Sequence, residues 1–595
     1  MFSTLRSKIH VTRSKARRRR LSSDSGFVET QPLEVRMLLA AAVDASAGLI
    51  HDWNEVLLQA IRVERPAPPV ASRAMAIVST SMFEAVNSLD GRYESLTGLV
   101  PASSSASPEA ALAVAARDAL AALFPGRTEV FDAALSASLA GIPEGEAKAM
   151  GIQTGTSAAK GILDLRSGDG SATPVQYTIG DQPGEWVPTA PAFAAAVLPQ
   201  WANVTPWTLT SPDQFRPKAP PSLKSSAYAR ALNEVQSIGS ATSTTRTEEQ
   251  TAIARFWAGS PGTVTPPGQW NVIAQGIAKQ SNMGLLETAH LYAVLDMALA
   301  DAAIVCWDAK YEFELWRPIS AIRSADQDQN SATTADPGWT SLLTTPAFPS
   351  YTSGHSTFSS AGATVMARLL GTDTISFTIP SEVSGIAARS FSSFSAAAGE
   401  AGMSRIYGGI HFSFDNTEGQ RAGRRLGEYV VDTVLPMKSA TLVTNNQLEI
   451  RASDKRDSIN VESASGKLRV VVNGKLTGTV PQSFVNRIVI YAGAGNDTIN
   501  ISNRITIPAV IHGGAGNDDI YGGGGGDQIF GDGGNDVLFG RDGDDWLYGG
   551  YGGDRLDGQN GRDHLFGEEG SDVLVVSRKL DLFSDNGGRN RIIYR

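Results

Sequence analysis

Three short segments within about a hundred residues hold side chains that together suit a tetrahedral oxyanion. They are Lys310 to Pro318, in which Lys310 and Arg317 stand seven apart; Ser353-Gly354-His355; and Ser404-Arg405 through His411 to Asp415. Between them they offer three fixed cations, a hydroxyl, a glycine amide and two histidines. Cations and amides can neutralise the outer oxygens of such an anion, while one histidine bonds to its central atom and the other carries a proton. Asp415 lies one helical turn beyond His411, within reach of fixing its ring. Of the seven histidines only His355 and His411 keep such company. His290 falls in a long apolar stretch and reads as a core or surface residue; His10, His51, His512 and His564 lie outside the three segments. With no HExxH motif and no Cys/His cluster, a zinc site has little support.

The elements around these residues can be read from spacing. From about Leu285 to Trp316, apolar side chains recur at three- and four-residue intervals (Leu286, Ala289, Ala293, Leu295, Leu299, Ala302, Val305) with no glycine or proline. That pattern predicts a helix with Trp307, Lys310 and Arg317 on one face, ended at Arg317 by Pro318. Alone, the Lys/Arg pair also reads as a solvated face. Ser353 precedes a second apolar run, Phe358 to Leu370, stopped by Gly371. Loop, N-cap and helix follow in that order, and the free amides of a helix start suit an anion. Gly354 lets backbone approach a ligand closely. A plain serine cap accounts for Ser353 but not for His355. Asp415-Asn-Thr-Glu418 fits a capping box for a helix running to Val431, a role compatible with holding His411 if different carboxylate oxygens are used.

Taken together, the segments resemble the signature shared by vanadium-dependent haloperoxidases and type 2 phosphatidic-acid phosphatases: KxxxxxxRP, PSGH and SRxxxxxHxxxD. Spacing matches in the first and third; the second departs, with Thr352 where the family usually has proline. The resemblance covers roughly residues 51 to 435, and Trp53-Asn54 and Ala74 to Asn87 look like N-terminal helices of the haloperoxidase branch. Trp307 and Phe348 are similar to the aromatic pair that lines the halide pocket of chloroperoxidase-type enzymes, where bromide-preferring relatives tend to have histidine at the second position. The resemblance implies a mainly α, helical-bundle catalytic domain that binds vanadate. His411 would be its axial ligand, and His355 would hydrogen-bond the opposite apical oxygen and act as acid and base. Lys310, Arg317, Arg405, Ser353 and the Gly354 amide would neutralise the equatorial oxygens, with Lys310 also polarising hydrogen peroxide. Halide would leave as a hypohalous-acid equivalent that halogenates a small organic acceptor. In the phosphatase branch the same His411 attacks phosphorus and His355 protonates the leaving group, so a soluble acid phosphatase is the alternative. A calcium-dependent surface protein with a vestigial pocket is a third reading.

The remaining sequence bounds the whole. At 595 residues the chain should hold two or more domains. No apolar run reaches the ~18 residues needed to span a bilayer, which weakens a membrane-bound lipid phosphatase. The single cysteine, Cys306, cannot form an intrachain disulfide. Residues 1–20 carry eight Lys/Arg and no acidic residue, and a short apolar stretch, Met37 to Val43, follows. These are parts of an export signal, and Leu33 to Ala40 resembles the leader of bacterial exported proteins with similar C-terminal repeats. A basic arm touching nucleic acid is the less favoured reading.

From Gly513 a nine-residue period sets in: Asp518, Asp527, Asp536, Asp545, Asp554, Asp563 and Asp572, each followed two residues later by Ile or Leu. It resembles the GGxGxDxUx calcium-binding repeat of RTX proteins. With two repeats per coil, the aspartates form two ladders that need a hard cation such as calcium between them. Residues 511–575 hold fourteen Asp/Glu against three Lys/Arg, so this segment accounts for the net charge of −10. The expected organisation is a basic export leader (1–50), a helical vanadate-binding domain (51–440), a β-strand connector (441–510) including strands near Leu468–Val472 and Ile488–Tyr491, an all-β parallel β-roll (511–577) and a C-terminal tail (578–595). Asn496-Asp497 reads as an earlier, out-of-phase repeat. The protein is expected to be secreted or on a bacterial cell surface, with no nucleic-acid partner and no transmembrane segment.

Overall fold

The computed structural model describes residues 46–99, 102–103, 105–435, 440–444, 446–577, 581–584 and 590–595; the expected leader lies outside these residues up to residue 45. Between Ser46 and Thr433 the described residues form thirteen α-helices and one small hairpin. At their centre is the helix Leu285–Phe313, in which every residue from Leu285 to Lys310 is buried except Glu287. It packs against the helices Pro68–Asp90, Gly354–Leu369 and Ser413–Thr433. A helix apolar on all sides belongs in a core. It has 29 residues, and its most apolar 18-residue stretch has a mean hydropathy of 1.6, enough by length and composition alone to cross a membrane, yet that stretch is wholly buried in the fold. Its polar residues hide the signal from a count of unbroken apolar residues, and they are satisfied internally. Asp296 accepts from Asn271, Asp301 from the backbone of Trp207 and Thr208, and His290 bonds the Leu435 carbonyl.

The helix ends earlier than expected. Glu314 turns left-handed at φ 46°, and Arg317 is extended at φ −80°, ψ 155°, capping the short helix Pro318–Arg323. Lys310 and Arg317 therefore do not share a helix face. Proline disfavours helical geometry at Arg317, and cross-links decide the rest. Leu315 bridges Glu185, the Trp316 amide donates to the Gly184 carbonyl at 2.8 Å, and the Trp186 amide to the Glu314 carbonyl at 2.6 Å.

Glycines bring the second and third segments together. On the helix Ser413–Thr433, Gly419, Gly423 and Gly427 lie one turn apart and face the helix Gly354–Leu369. A Cβ on Gly419 would stand 2.9 Å from the Ser353 carbonyl, and one on Gly427 2.8 Å from the Thr364 side chain. Only glycine permits this approach, and it sets His411 and Asp415 beside Ser353-Gly354-His355.

From Ala440 the described residues form two sheets of eight and nine strands, and from Arg487 onward successive strands alternate between them. Pairing between repeats is parallel and steps by 18 residues: Ile511, Ile529, Leu547 and Leu565 register in one sheet, and Ile520, Leu538, Leu556 and Leu574 in the other. All eight side chains are fully buried between the sheets. The strands of residues 441–510 belong to these same two sheets. The expected tail contains Leu582–Ser584 and Arg591–Tyr594, which pair in parallel with the last repeats.

Candidate functional site

Lys310, Arg317, Arg405, Ser353, His411 and Asp415 are all essentially inaccessible to solvent. Lys310 Nζ donates to the carbonyls of Pro349, Ser350 and Thr352 at 3.0, 2.9 and 2.5 Å, tying down the loop ahead of Ser353. Its N–H groups are thus all in use, and toward an anion it contributes charge. Arg317 donates through Nε to the Phe348 carbonyl (2.7 Å) and through Nη1 to the Ile410 carbonyl (2.9 Å) and His411 Nε2 (3.1 Å). Its Nη2 is buried without a partner. Arg405 reaches Ser404 Oγ at 3.0 Å and the Ala254 carbonyl at 3.2 Å. None of these bonds goes to a carboxylate.

Burial in this company depresses each cation: Arg317 to about 10, Arg405 to about 9 with help from Arg317, and Lys310 downward, by burial first and Arg317 next. Desolvation and like-charge repulsion both disfavour the charged forms. An anion would relieve them.

The histidines are pushed down like the cations around them. Burial, then Arg317, Lys310 and Arg405, hold His411 well below its usual range, so the ring is neutral. Its Nδ1 lies 2.8 Å from Asp415 Oδ2, which leaves the Nε2 lone pair toward Arg317 and the pocket. Oδ2 also accepts from Ser350 Oγ (2.6 Å) and from the Phe412 amide (3.2 Å). Asp415 sits in the first turn of Ser413–Thr433, three residues after the N-cap, so the expected capping box starting at Asp415 is displaced and both roles fall on one oxygen. The other oxygen, Oδ1, is buried without a partner. His355 is also held well below its usual range by burial and Arg405. A carbonyl only accepts, so the 2.8 Å bond to the Trp257 carbonyl places the His355 proton on Nε2 and leaves Nδ1 as an acceptor.

The anion cradle closes with Ser353, whose Oγ accepts from the Ser356 amide at 3.3 Å and keeps its own proton for donation. The first intrahelical bond of Gly354–Leu369 comes from Thr357, so the Gly354 and His355 amides precede it. Gly354 lies beside Trp307 and Cys306. The Trp307 and Phe348 rings are 4.9 Å apart, and Lys310 Nζ sits 5.8 and 5.0 Å from their centres; Arg317 lies 4.7 Å over Phe348. All the expected pocket residues converge. Spacing missed Ser350 and the Trp257 carbonyl, whose roles depend on loop conformation, and it missed Val197, whose carbonyl accepts from Trp307 Nε1 and Tyr311 OH. A surface groove of about 620 Å³ near Arg230, Glu234 and Phe414 contains none of these residues.

In the roll, the seven aspartates form two ladders. Asp518, Asp536 and Asp554 each donate an amide to Oδ1 of the aspartate 18 residues on, and so do Asp527 and Asp545. The first ladder reaches back to Asp497 and Asp457 and on to Asn590; the second runs on to Asp581. Oδ2 of Asp497, Asp518, Asp536, Asp545, Asp554 and Asp563 is buried without a partner. Among the described residues no three or more His, Cys, Asp or Glu side chains cluster as a metal site. A cation here would therefore take one or two carboxylates plus turn carbonyls, a hard all-oxygen set.

Comparison with known proteins agrees with this picture. The family described as the VCPO second helical-bundle domain matches residues 290–438, and the RTX calcium-binding nonapeptide repeat matches residues 489–500, 510–538 and 539–574. Vanadium chloroperoxidase of Curvularia inaequalis is 31% identical over 229 residues, 32% of this chain and 37% of that enzyme, so only a little over a third of its length is matched. The first bacterial vanadium-dependent iodoperoxidase to be solved superposes with a TM-score of 0.59 at 31% identity, over 65% of this chain and 96% of its own. A bacterial vanadium-dependent chloroperoxidase, at 18% identity and a TM-score of 0.50 over 62% of this chain and 96% of its own, shares the fold. With motif order, site geometry and near-complete coverage of a 31%-identical structure in agreement, the chain belongs to the vanadium-dependent haloperoxidase family and carries RTX calcium-binding repeats after its helical part.

Proposed function

We propose that this chain oxidises halide with hydrogen peroxide in a vanadate-loaded pocket and releases a hypohalous-acid equivalent to small organic acceptors. The observation that carries the reading is the cluster of three buried cations without carboxylate partners, facing a neutral His411 whose Nε2 lone pair is held in place. Vanadate fits this donor set: the orphaned Arg317 Nη2, the Ser353 hydroxyl and the first amides of Gly354–Leu369 suit its oxygens, and His411 Nε2 suits its metal. When bound, vanadate supplies a pentavalent Lewis acid for activating peroxide. Lys310, Arg317 and Arg405 balance the anion's charge. His355 Nδ1, an acceptor in this tautomer, takes a proton from a bound O–H and returns it to the leaving oxygen. Trp307 and Phe348 give a halide a low-dielectric wall beside two cations, which supports a chloride-competent enzyme, with bromide and iodide the easier substrates.

The roll holds calcium on its orphaned Oδ2 atoms and serves secretion, folding or surface attachment, and the basic N-terminal sequence supports an exported protein. One observation favours a second reading, a soluble acid phosphatase with His411 as nucleophile. Every N–H of Lys310 is already bonded to a loop carbonyl, which leaves charge but no free donor for peroxide. The deciding experiment assays purified protein with vanadate, peroxide and chloride, bromide or iodide, beside phosphate-ester hydrolysis without vanadate. Vanadate-dependent halide oxidation is the expected result; ester hydrolysis with no halide oxidation would overturn it.

A further inference from the structure

We propose that Ser350 is a positioning residue for His411: its hydroxyl, donated to Asp415 Oδ2, fixes the carboxylate that fixes the tautomer and ring plane of the histidine. The inference builds on the reading that His411 Nε2 meets the central atom of the oxyanion.

Ser350 is fully buried, and all its polar atoms are engaged. Its amide donates to the Leu315 carbonyl at 2.8 Å, its carbonyl accepts from Lys310 Nζ at 2.9 Å, and its Oγ lies 2.6 Å from Asp415 Oδ2. His411 Nδ1 is 3.5 Å from the same Oγ. An ionised carboxylate only accepts, and 2.6 Å is the length of a charge-assisted O–H···O bond, so the hydroxyl proton points at Asp415. The backbone of Ser350 is thus clamped at two points by the segment Lys310 to Pro318, while its side chain holds the segment that ends at Asp415.

The consequence follows from the uneven use of the two carboxylate oxygens. Oδ2 collects three donors and Oδ1 has none. Without the serine hydroxyl, one of the two side-chain donors that set the carboxylate plane is gone, and the plane can turn toward the open side of Oδ1. The His411 proton then loses its fixed acceptor. The opposite tautomer would aim an Nε2–H at Arg317 Nη1, a donor facing a donor at 3.1 Å, and would remove the lone pair the pocket needs.

The test uses full-length protein labelled with 15N-histidine, with the His411 signals identified by their loss in His411→Gln. Long-range 1H–15N spectra report the tautomer, and calorimetry with inorganic vanadate, without peroxide or halide, reports affinity. Wild type should show the Nδ1–H form. Ser350→Ala should show mixed tautomers and vanadate binding weaker on the order of 10-fold, as outer partners of a ligating histidine commonly give. Ser350→Thr, which keeps the hydroxyl, should restore both. If Ser350→Ala does not fold, Ser350→Cys supplies a weaker donor and should give intermediate values for both. A wild-type tautomer and affinity in Ser350→Ala or Ser350→Cys would overturn the proposal, as would a loss of thermal stability with the tautomer unchanged. Wild-type affinity in His411→Gln would instead remove the parent reading.

Discussion

Stripping calcium should destabilise the roll in a pH-dependent way opposite in sign to ordinary acid denaturation. Burial holds Asp518, Asp554 and Asp563 up at about 6, Asp527 at about 7, and Asp497, Asp536 and Asp545 at about 8, with neighbouring carboxylates adding to all but Asp527. In the unfolded chain these groups ionise near pH 4. Between about pH 4 and 8 the folded roll therefore binds more protons than the unfolded chain, and its stability falls as pH rises. Each net proton in play is worth about 1.4 kcal/mol per pH unit.

Exposed turn residues flank these carboxylates and solvent screens charge there, so a seven-proton slope is an upper limit. A single net proton still gives about 3 kcal/mol between pH 5.5 and 7.5. For a unit of this size that lowers Tm by roughly 6–12 °C. Calcium replaces the protons on Oδ2, so saturating calcium should flatten the slope and raise Tm, with an affinity that grows with pH. Scanning calorimetry of the full-length chain in chelator, and then in excess calcium, measures this on the transition that moves with calcium. A chelated transition that stays level or climbs across the window would show that the buried carboxylates do not titrate as their surroundings dictate.

His411→Ala should cost more vanadate affinity than the roughly 10–100-fold typical of an outer-shell change, along with nearly all turnover, whereas Arg405→Ala should chiefly weaken affinity because two cations remain; calorimetry and steady-state assays separate the two. Phe348→His places a titratable ring where the present one lies 5.0 Å from Lys310 Nζ and 4.7 Å from the Arg317 guanidinium. It should depress chloride turnover more than bromide turnover and shift the pH profile, so the chloride-to-bromide ratio of kcat/KM across about pH 4 to 8 is the measurement, and an unchanged ratio would make Phe348 simple packing. Gly552 has φ +133°, and a Cβ there would collide with the Gly534 carbonyl. Gly552→Ala should therefore destabilise the roll by about 1–3 kcal/mol or more, seen as a higher calcium midpoint, with vanadate affinity unchanged.

Pocket composition was legible because each motif carries its residues over a short, conformationally simple span. Geometry was less so. The helix through Lys310 was readable to Phe313, but spacing alone could not show that Glu314 would turn left-handed to meet the Glu185 segment. Ser350 sits in plain view, yet nothing in its type separates a loop serine from one aimed at a buried carboxylate. A signal was available for the helix contact: Gly419, Gly423 and Gly427 at four-residue spacing mark a close approach. The roll was the most legible element, since its period is the structure. The same period, continued from Asp572, reaches Asp581 and Asn590, which the structure places in the ladders. Asp457 was hidden because 40 residues, not 18, separate it from its ladder neighbour Asp497.

The two parts of the chain are electrostatically incomplete in opposite senses. The helical pocket buries three cations that bond to carbonyls, a serine and a histidine but to no carboxylate. The roll buries carboxylates, and the second oxygens of Asp497, Asp518, Asp536, Asp545, Asp554 and Asp563 meet no partner. A fold that evolved only for stability would pair such groups with each other or expose them, because leaving a charge buried and unpaired costs several kcal/mol. Here each part keeps like charges together, in positions fixed by glycines and backbone hydrogen bonds. The missing charge must come from outside the chain: an oxyanion for one part and a hard cation for the other. The sequence thus encodes two half-neutralised sites, and the sign left over in each predicts its ligand.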